Sequence, residues 1–353
     1  VDARGRLLRW LLGASPRLVR RLAGRAVDVD GQRLAGDTQL MLRLQRLTRE
    51  PAIESLPIPA GRRAMDRQAA LVGGRQPVAA IRVLQVDGAA GPLDARLYVP
   101  GALVPADTGP SGLLVFLHGG GMIYGSLDSH DAVCRFLAER AGVRVLAVDY
   151  RLAPEHRFPA AVDDAAAAYR WAVTHAASLD ADPARIGVGG DSAGGLLSAT
   201  TAATAAREGL PCALQLLVYP ATDMVTASHS REVFGRGLFL TTEFMDLATA
   251  SYLPEEADRA DPRASPQLAE PPAGLAPAYV ATAALDPLRD EGEAYAAKLR
   301  AAGVEVECRR FDGQIHGFLN VLVAPSSRAA TEEIAGVVAR SLATPRTGSR
   351  QDR

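Results

Sequence analysis

The chain is short of the features that mark several large classes of protein. Lysine is almost missing: Lys298 is the only one, and arginine supplies the rest of the positive charge. With alanine and glycine abundant, that reads as a GC-rich codon bias of the source genome and says nothing about function. Thirty-nine basic residues against 40 acidic ones leave a net charge of -1 over 353 residues, which offers no grip on a nucleic-acid backbone. Three cysteines, Cys134, Cys212 and Cys308, stand far apart in neither metal-binding nor redox spacing. That argues against a disulfide scaffold and suits a reducing, cytoplasmic compartment. No apolar run reaches the length of a membrane span. Leu7 to Leu12 follows Arg4 and Arg6, but Arg9 interrupts it and Arg17, Arg20, Arg21 and Arg25 come after it without a clean cleavage signal, so no secretory signal peptide is expected. There is no internal repeat and no low-complexity tract.

What is present is a rhythm. Residues 4–23 read as a basic amphipathic helix broken near Gly13 to Pro16, its stripe formed by Leu7, Leu8, Leu11, Leu18 and Leu22. It is expected to serve as part of a cap, as a packing helix or as a weak contact with a membrane surface. A second helix fits Asp37 to Leu47, and a connector punctuated by proline and glycine runs from Pro51 to Gly74 with a short helix over Arg63 to Leu71. Ile81–Val86 and Ala95–Val99 predict a hairpin. Short apolar runs then alternate with helical stretches: strands at Leu113–Leu117, Val143–Val148, Ile186–Val188, Leu214–Val218 and Ala278–Ala281, helices at Asp131–Ala141, Ala161–Ala176, Ala193–Arg207, Asp290–Ala302 and Ala329–Ala343. The last strand expected is Val304–Arg310. Strands that are apolar throughout need cover on both faces, which predicts an α/β architecture around a mostly parallel sheet.

One interval breaks the rhythm. The stretch from Tyr219 to Pro277 is too long for a simple crossover and carries a helix over Thr241 to Leu253, so it reads as an insertion that joins the N-terminal helices as a cap. The expected division is an N-terminal helical region at 1–74, a catalytic domain at 75–222 and 261–345, and a cap insertion at 223–260.

The chemistry-bearing stretch is Gly190-Asp191-Ser192-Ala193-Gly194, placed between a strand and an Ala/Leu-rich helix. This G-x-S-x-G frame is what a nucleophile elbow requires: glycines leave room for a sharp turn, and the following helix aims N–H groups at the serine. His118-Gly119-Gly120-Gly121 directly follows an apolar strand and leaves its backbone donors unshielded, so Gly119, Gly120 and Ala193 are the expected oxyanion donors. Neither glycine loop forms G-x-G-x-x-G, because Tyr124 and Ser192 stand where the third glycine belongs. Among six histidines, His316 lies past the final strand, where a late base is needed in a Ser, acid, His order. The carboxylate has three candidates: Asp286 ahead of Asp223, with Asp290 third because its placement suits a helix cap.

These segments resemble the hormone-sensitive lipase-like group of bacterial carboxylesterases, family IV of the α/β-hydrolases. The likeness rests on His118-Gly119-Gly120-Gly121 with Gly125, on Asp149 to His156 followed by Phe158-Pro159-Ala160, on Gly190 to Gly195, on Asp286 to Asp290 and on His316-Gly317-Phe318. It implies an α/β-hydrolase fold with an eight-stranded sheet and a helical cap. It also implies Ser192 as nucleophile, His316 as base and Asp286 as orienting acid, Asp191 in a supporting role, and ester hydrolysis through an acyl-enzyme that needs no metal or organic cofactor. Met122, Tyr124, Phe234, Leu238, Phe239 and Phe318 are expected to line an apolar cleft, which favours short- to medium-chain acyl groups. A homodimer would fit the resembled group. An amidase or small-molecule deacetylase, or a non-catalytic ligand-binding relative, are the alternatives.

Overall fold

A computed structural model of the protein describes residues 3–48, 50–103 and 109–342. Residues 1–2 of the expected N-terminal region and 343–345 of the expected catalytic domain lie outside the described residues. The basic N-terminal segment is two helices, α1 (Ala3–Leu12) and α2 (Pro16–Ala23). Ser15 caps the second by accepting the Leu18 N–H, and Pro16 sits in the first turn, where its missing donor is no loss. A small hairpin follows, β1 (Asp28–Val29) with β2 (Gln32–Arg33), too short to have shown a pattern in the sequence. Then come α3 (Gly36–Thr48) and α4 (Ile58–Gly73). The last begins before the expected Arg63 because Pro59 in its first turn starts a helix without breaking it.

The main sheet contains β3 (Ala80–Gly88), β4 (Gly91–Val99), β5 (Ser111–Leu117), β6 (Arg144–Val148), β7 (Ala181–Asp191), β8 (Gln215–Val218), β9 (Ala278–Leu285) and β10 (Val306–Ile315). Its spatial order is β10-β9-β8-β7-β5-β6-β4-β3. Only β4 runs against its neighbours; every other pairing in the sheet is parallel. The helices between strands are α5 (Asp131–Ala141), α6 (Ala160–Thr174), α7 (Ala193–Glu208), α8 (His229–Phe234), α9 (Thr242–Tyr252) and α10 (Arg289–Ala301), and α11 (Pro325–Leu342) follows the last strand. β5 shows why both faces need cover: Leu113, Val115 and Leu117 enter the core shared with α6, α7 and α10, while Leu114 and Phe116 enter the one shared with α5 and α11. Each such buried side chain contributes about 1.5–3 kcal/mol.

A third apolar cluster joins α1, α2 and α3 to Phe234, Ile315 and Val321. Polar contacts tie the N-terminal region to the insertion as well: Thr241 Oγ1 donates to Glu54 at 2.8 Å, Arg46 Nη2 to the Gly237 carbonyl at 2.5 Å, and His229 Nε2 lies 3.2 Å from Asp30. Among the described residues, no helix is long and apolar enough to cross a membrane.

Register positions the chemistry. Leu117 pairs with Gly190 and Leu285 with Ile315, so the residues that follow these four emerge beside one another at the carboxyl ends of the parallel strands.

Candidate active site

Ser192 occupies the one-residue turn between β7 and α7, at φ 57 and ψ -117. That conformation is strained for a side chain and persists only where neighbours enforce it. They do: a Cβ on Gly190 would collide with the Leu117 carbonyl and the Gly194 backbone, and one on Gly194 with the same Leu117 carbonyl. Both glycines are there because β5 passes too close for anything larger.

His316, just beyond β10, places Nε2 3.0 Å from Ser192 Oγ and Nδ1 2.8 Å from Asp286 Oδ2. Asp286 is fully buried, and its other oxygen accepts the Leu288 N–H at 2.9 Å, which fixes the carboxylate plane. The Tyr219 ring lies 4.6 Å from the imidazole and limits its rotation. A serine hydroxyl, an imidazole and a buried carboxylate in series can draw a proton off the serine as it attacks a carbonyl. The rival acids are engaged elsewhere. Asp223 accepts the Val225 and Thr226 N–H groups in a turn. Asp290, expected as a helix cap, instead accepts the Ser230 N–H of α8 and a guanidinium bond from Arg289.

The glycine loop corrects one expectation. Gly119 is not available as an oxyanion donor, because its N–H donates to Asp191 Oδ1 at 2.9 Å. Gly120 and Gly121, partly exposed and at φ 126 and 63, have no acceptor for their N–H groups among the described residues, and neither does Ala193 at the first position of α7. The open donors beside Ser192 are therefore those of Gly120, Gly121 and Ala193.

Asp191 is the anchor of this loop. Besides Gly119 it meets His130 Nε2 at 3.1 Å, the Tyr219 hydroxyl at 3.3 Å and Asn320 Nδ2 at 3.5 Å. Burial pushes this carboxyl up, but His130, the hydrogen bonds and the more distant His316 outweigh it and hold the group below the ordinary aspartate value. His118 stacks on Tyr150 at 4.3 Å, and burial, with help from His130, drives its pKa down to about 3. It is a neutral packing residue, and its Nδ1 lies 2.9 Å from the Gly119 carbonyl.

The expected cleft residues scatter. Phe239 is 45% exposed, and its ring lies against Gly317, next to His316. Met122 and Tyr124 are buried behind the glycine loop, the tyrosine donating to the Ile53 carbonyl at 3.1 Å. Leu238 faces away, into a recess of about 320 Å³ between α2, α3 and the 235–240 turn. Phe234 lies under the Arg289 guanidinium at 5.0 Å, and Phe318 packs between Tyr219 and Phe311; both are core residues, fully buried, and not cleft walls. Location after a strand suggested a cleft position for Phe318, but its side chain turns under the sheet end. Phe244 and Ala248 were missed. One helical turn apart on α9, they lie close over Gly121, a facing that their spacing alone could have suggested but whose target it could not.

Comparisons with known proteins bear on the fold and on the class of reaction. A family model described as the alpha/beta hydrolase fold matches residues 114–320. The carboxylic ester hydrolase LipN of Mycobacterium tuberculosis is 43% identical over 341 residues, covering 93% of this chain and 88% of the relative. An ethyl acetate hydrolase of Pseudomonas putida is 40% identical over 275 residues, 76% of this chain and 85% of its own. Among solved structures, an ester hydrolase from the metagenome of Lake Arreo, complexed with a bipyridine phosphonate derivative, superposes with a TM-score of 0.83 at 39% identity, covering 87% of this chain and 98% of the other. A hyperthermophilic esterase from the archaeon Pyrobaculum calidifontis gives 0.82 at 35% identity, with the same coverage of 87% and 98%.

Proposed function

Because this chain belongs to the α/β-hydrolase family, in its hormone-sensitive lipase-like branch, and is an ester-hydrolysing enzyme, we propose that it works through an acyl-enzyme on Ser192. The observation that carries this is the continuous relay of 3.0 and 2.8 Å from Ser192 through His316 to Asp286. Ser192 Oγ attacks the ester carbonyl while His316 Nε2 takes its proton, and Asp286 steadies the imidazolium. Negative charge forming on the carbonyl oxygen is met by the N–H groups of Gly120, Gly121 and Ala193. Collapse expels the alcohol, which leaves with the proton from His316. Water then attacks the acyl-serine with His316 again as base, releasing the carboxylic acid and restoring the serine.

The preferred acyl groups are short to medium. Support for this comes from Phe239 against Gly317 and from Phe244 and Ala248 over Gly121, which bring apolar bulk close to the serine. The N-terminal region and the insertion act together as the cap, a reading supported by the Thr241–Glu54 and Arg46–Gly237 bonds. A cytoplasmic location suits three unpaired thiols, Cys134, Cys212 and Cys308. Besides the ester, the partners proposed are a membrane surface met by the N-terminal helices and a second copy of the chain, the latter tested by light scattering.

The decisive experiment is hydrolysis of p-nitrophenyl esters from acetate to palmitate, with matched anilides and Ser192→Ala alongside. Serine-dependent turnover that peaks at short or medium chains supports the reading. A rate climbing steadily to palmitate overturns the chain-length preference, anilides cleaved as fast as esters make it an amidase, and turnover that survives Ser192→Ala removes Ser192 as nucleophile.

A further inference from the structure

The segment 3–27 contains seven arginines and no acidic residue. Its formal charge of +7 stands against -1 for the whole chain, so the remainder carries -8 and the molecule is strongly polarised. None of Arg9, Arg17, Arg20, Arg21 and Arg25 pairs with a carboxylate among the described residues. These charges are interleaved with apolar side chains that the fold leaves outside. On α1, Leu12 is buried and Leu8 half-buried, while Leu7 and Trp10, three residues apart on the opposite side, are 56% and 64% exposed. On α2, Val19 and Ala23 face the protein while Leu18 and Leu22 remain in solvent. A large indole beside unpaired guanidiniums on a short amphipathic helix is suited to the boundary between headgroups and acyl chains.

A second feature points the same way. Between α1 and α4 lies a recess of about 500 Å³ with Arg9, Arg67, Ala70, Leu71 and Arg75 among its lining residues. None of the three has a carboxylate or hydrogen-bond partner among the described residues. Three arginines without a carboxylate partner, lining one recess, form a place for a phosphate group.

We propose that α1 and α2 dock on an anionic membrane surface, with Leu7 and Trp10 entering the interface and the Arg9, Arg67 and Arg75 recess taking a lipid phosphate. Charge decides against the competing occupants. A second copy meeting this face across a two-fold axis would set one +7 segment against another. Free phosphate would satisfy the recess but leave Leu7 and Trp10 in water. This proposal refines the membrane partner named above and is independent of the acyl-enzyme mechanism.

The test is flotation of the full chain with vesicles of phosphatidylcholine alone or mixed with phosphatidylglycerol, at low and high salt. p-Nitrophenyl acetate turnover is read on the same samples, so that failure of docking and failure of the esterase reading are seen separately. The expected result is salt-sensitive flotation with the mixed vesicles only. Leu7→Gln with Trp10→Gln should weaken it by about ten-fold or more. Arg67→Gln with Arg75→Gln should weaken it by on the order of five-fold for each charge removed. Turnover of the soluble ester should stay at the wild-type rate in both variants. No flotation, equal flotation with neutral vesicles, or variants that float like the wild type would overturn the proposal. So would a lipid-free dimer that falls to monomer on Leu7→Gln with Trp10→Gln, since the apolar face would then belong to a second copy.

Discussion

Removing the Asp191 carboxylate should cost turnover rather than substrate affinity. Its side chain is buried and accepts the Gly119 N–H at 2.9 Å, which is the tie between the glycine loop and the end of β7. A hydrogen bond to a charged acceptor contributes about 1.5–3 kcal/mol. In Asp191→Ala that tie is lost, and Gly120 and Gly121 are no longer held where the oxyanion forms. If the whole of that energy is expressed in the transition state, kcat falls by roughly 10- to 150-fold. This range only reaches the lower end of the roughly 10²–10³-fold cost of deleting a donor outright, as expected for a residue that acts through the loop. KM should stay nearly constant, because the interaction strengthens only as charge develops. Asp191→Asn keeps one acceptor oxygen and should fall between wild type and alanine. The assay is steady-state kinetics on p-nitrophenyl butyrate, run well below the Tm of each variant, since the Tyr219 hydroxyl and His130 lose a partner too and the fold will be weaker. A kcat within two-fold of wild type in a folded Asp191→Ala, or a loss confined to KM, would refute the reasoning.

Other perturbations test other parts of the structure. Asp286→Asn should lower kcat by about 10⁴-fold with the fold intact, because an amide no longer selects the tautomer that leaves Nε2 free to accept; steady-state kinetics with circular dichroism as the fold control would show it. Buried His118 has its pKa lowered to about 3, so between its unfolded value near 6.5 and that point the unfolded chain holds a proton the native one lacks. Stability is therefore present above pH 6.5 and lost as pH falls, by about 1.4 kcal/mol per unit, and His118→Gln should flatten this part of the Tm-against-pH curve. Glu291 is the opposite case: burial raises its carboxyl to about 7 despite Arg231 at 2.8 Å, so its contribution holds below pH 4.5 and fades as pH rises through 7. In Arg231→Met the buried Glu291 should take up a proton at neutral pH instead of standing charged and unpaired, so the cost read by urea denaturation should be about 1–3 kcal/mol, from the lost hydrogen bonds to Glu291 and the Asp223 carbonyl, and should grow as pH rises above 7. Gly194→Ala should yield little folded protein at any temperature, as its Cβ would overlap the Leu117 carbonyl; a soluble variant with wild-type Tm would contradict the packing described.

How much was legible in the sequence follows from where each signal resides. Strand and helix order was readable because β5, β6, β8 and β9 are buried on both faces and so are mostly apolar, while the helices between them carry a 3.6-residue period. The first part of β7 was missed because Ala181 to Arg185 is polar and half exposed, and only its pairing with β5 makes it a strand. The elbow, the glycine loop and the late histidine were readable because each depends on neighbours in the chain: a turn that admits only small residues must be written with small residues.

What the chain could not disclose is what happens across long sequence separations. Gly119 looked like an oxyanion donor until folding brought Asp191, 72 positions away, against its N–H. Asp286 stood among three candidates in the reading of the residues alone, and the parallel pairing of Leu285 with Ile315 is what sets it beside His316 while Asp223 and Asp290 are bound into turns and into α8. Phe318 and Phe239 are both aromatic residues expected to line the cleft, yet one lies in the core and the other over Gly317. Residue type and local spacing determine which groups the site can use, because turns and periodicity are short-range properties of a polypeptide. Which of those groups face one another is decided by sheet register and helix packing, which act between segments that carry no record of each other's direction.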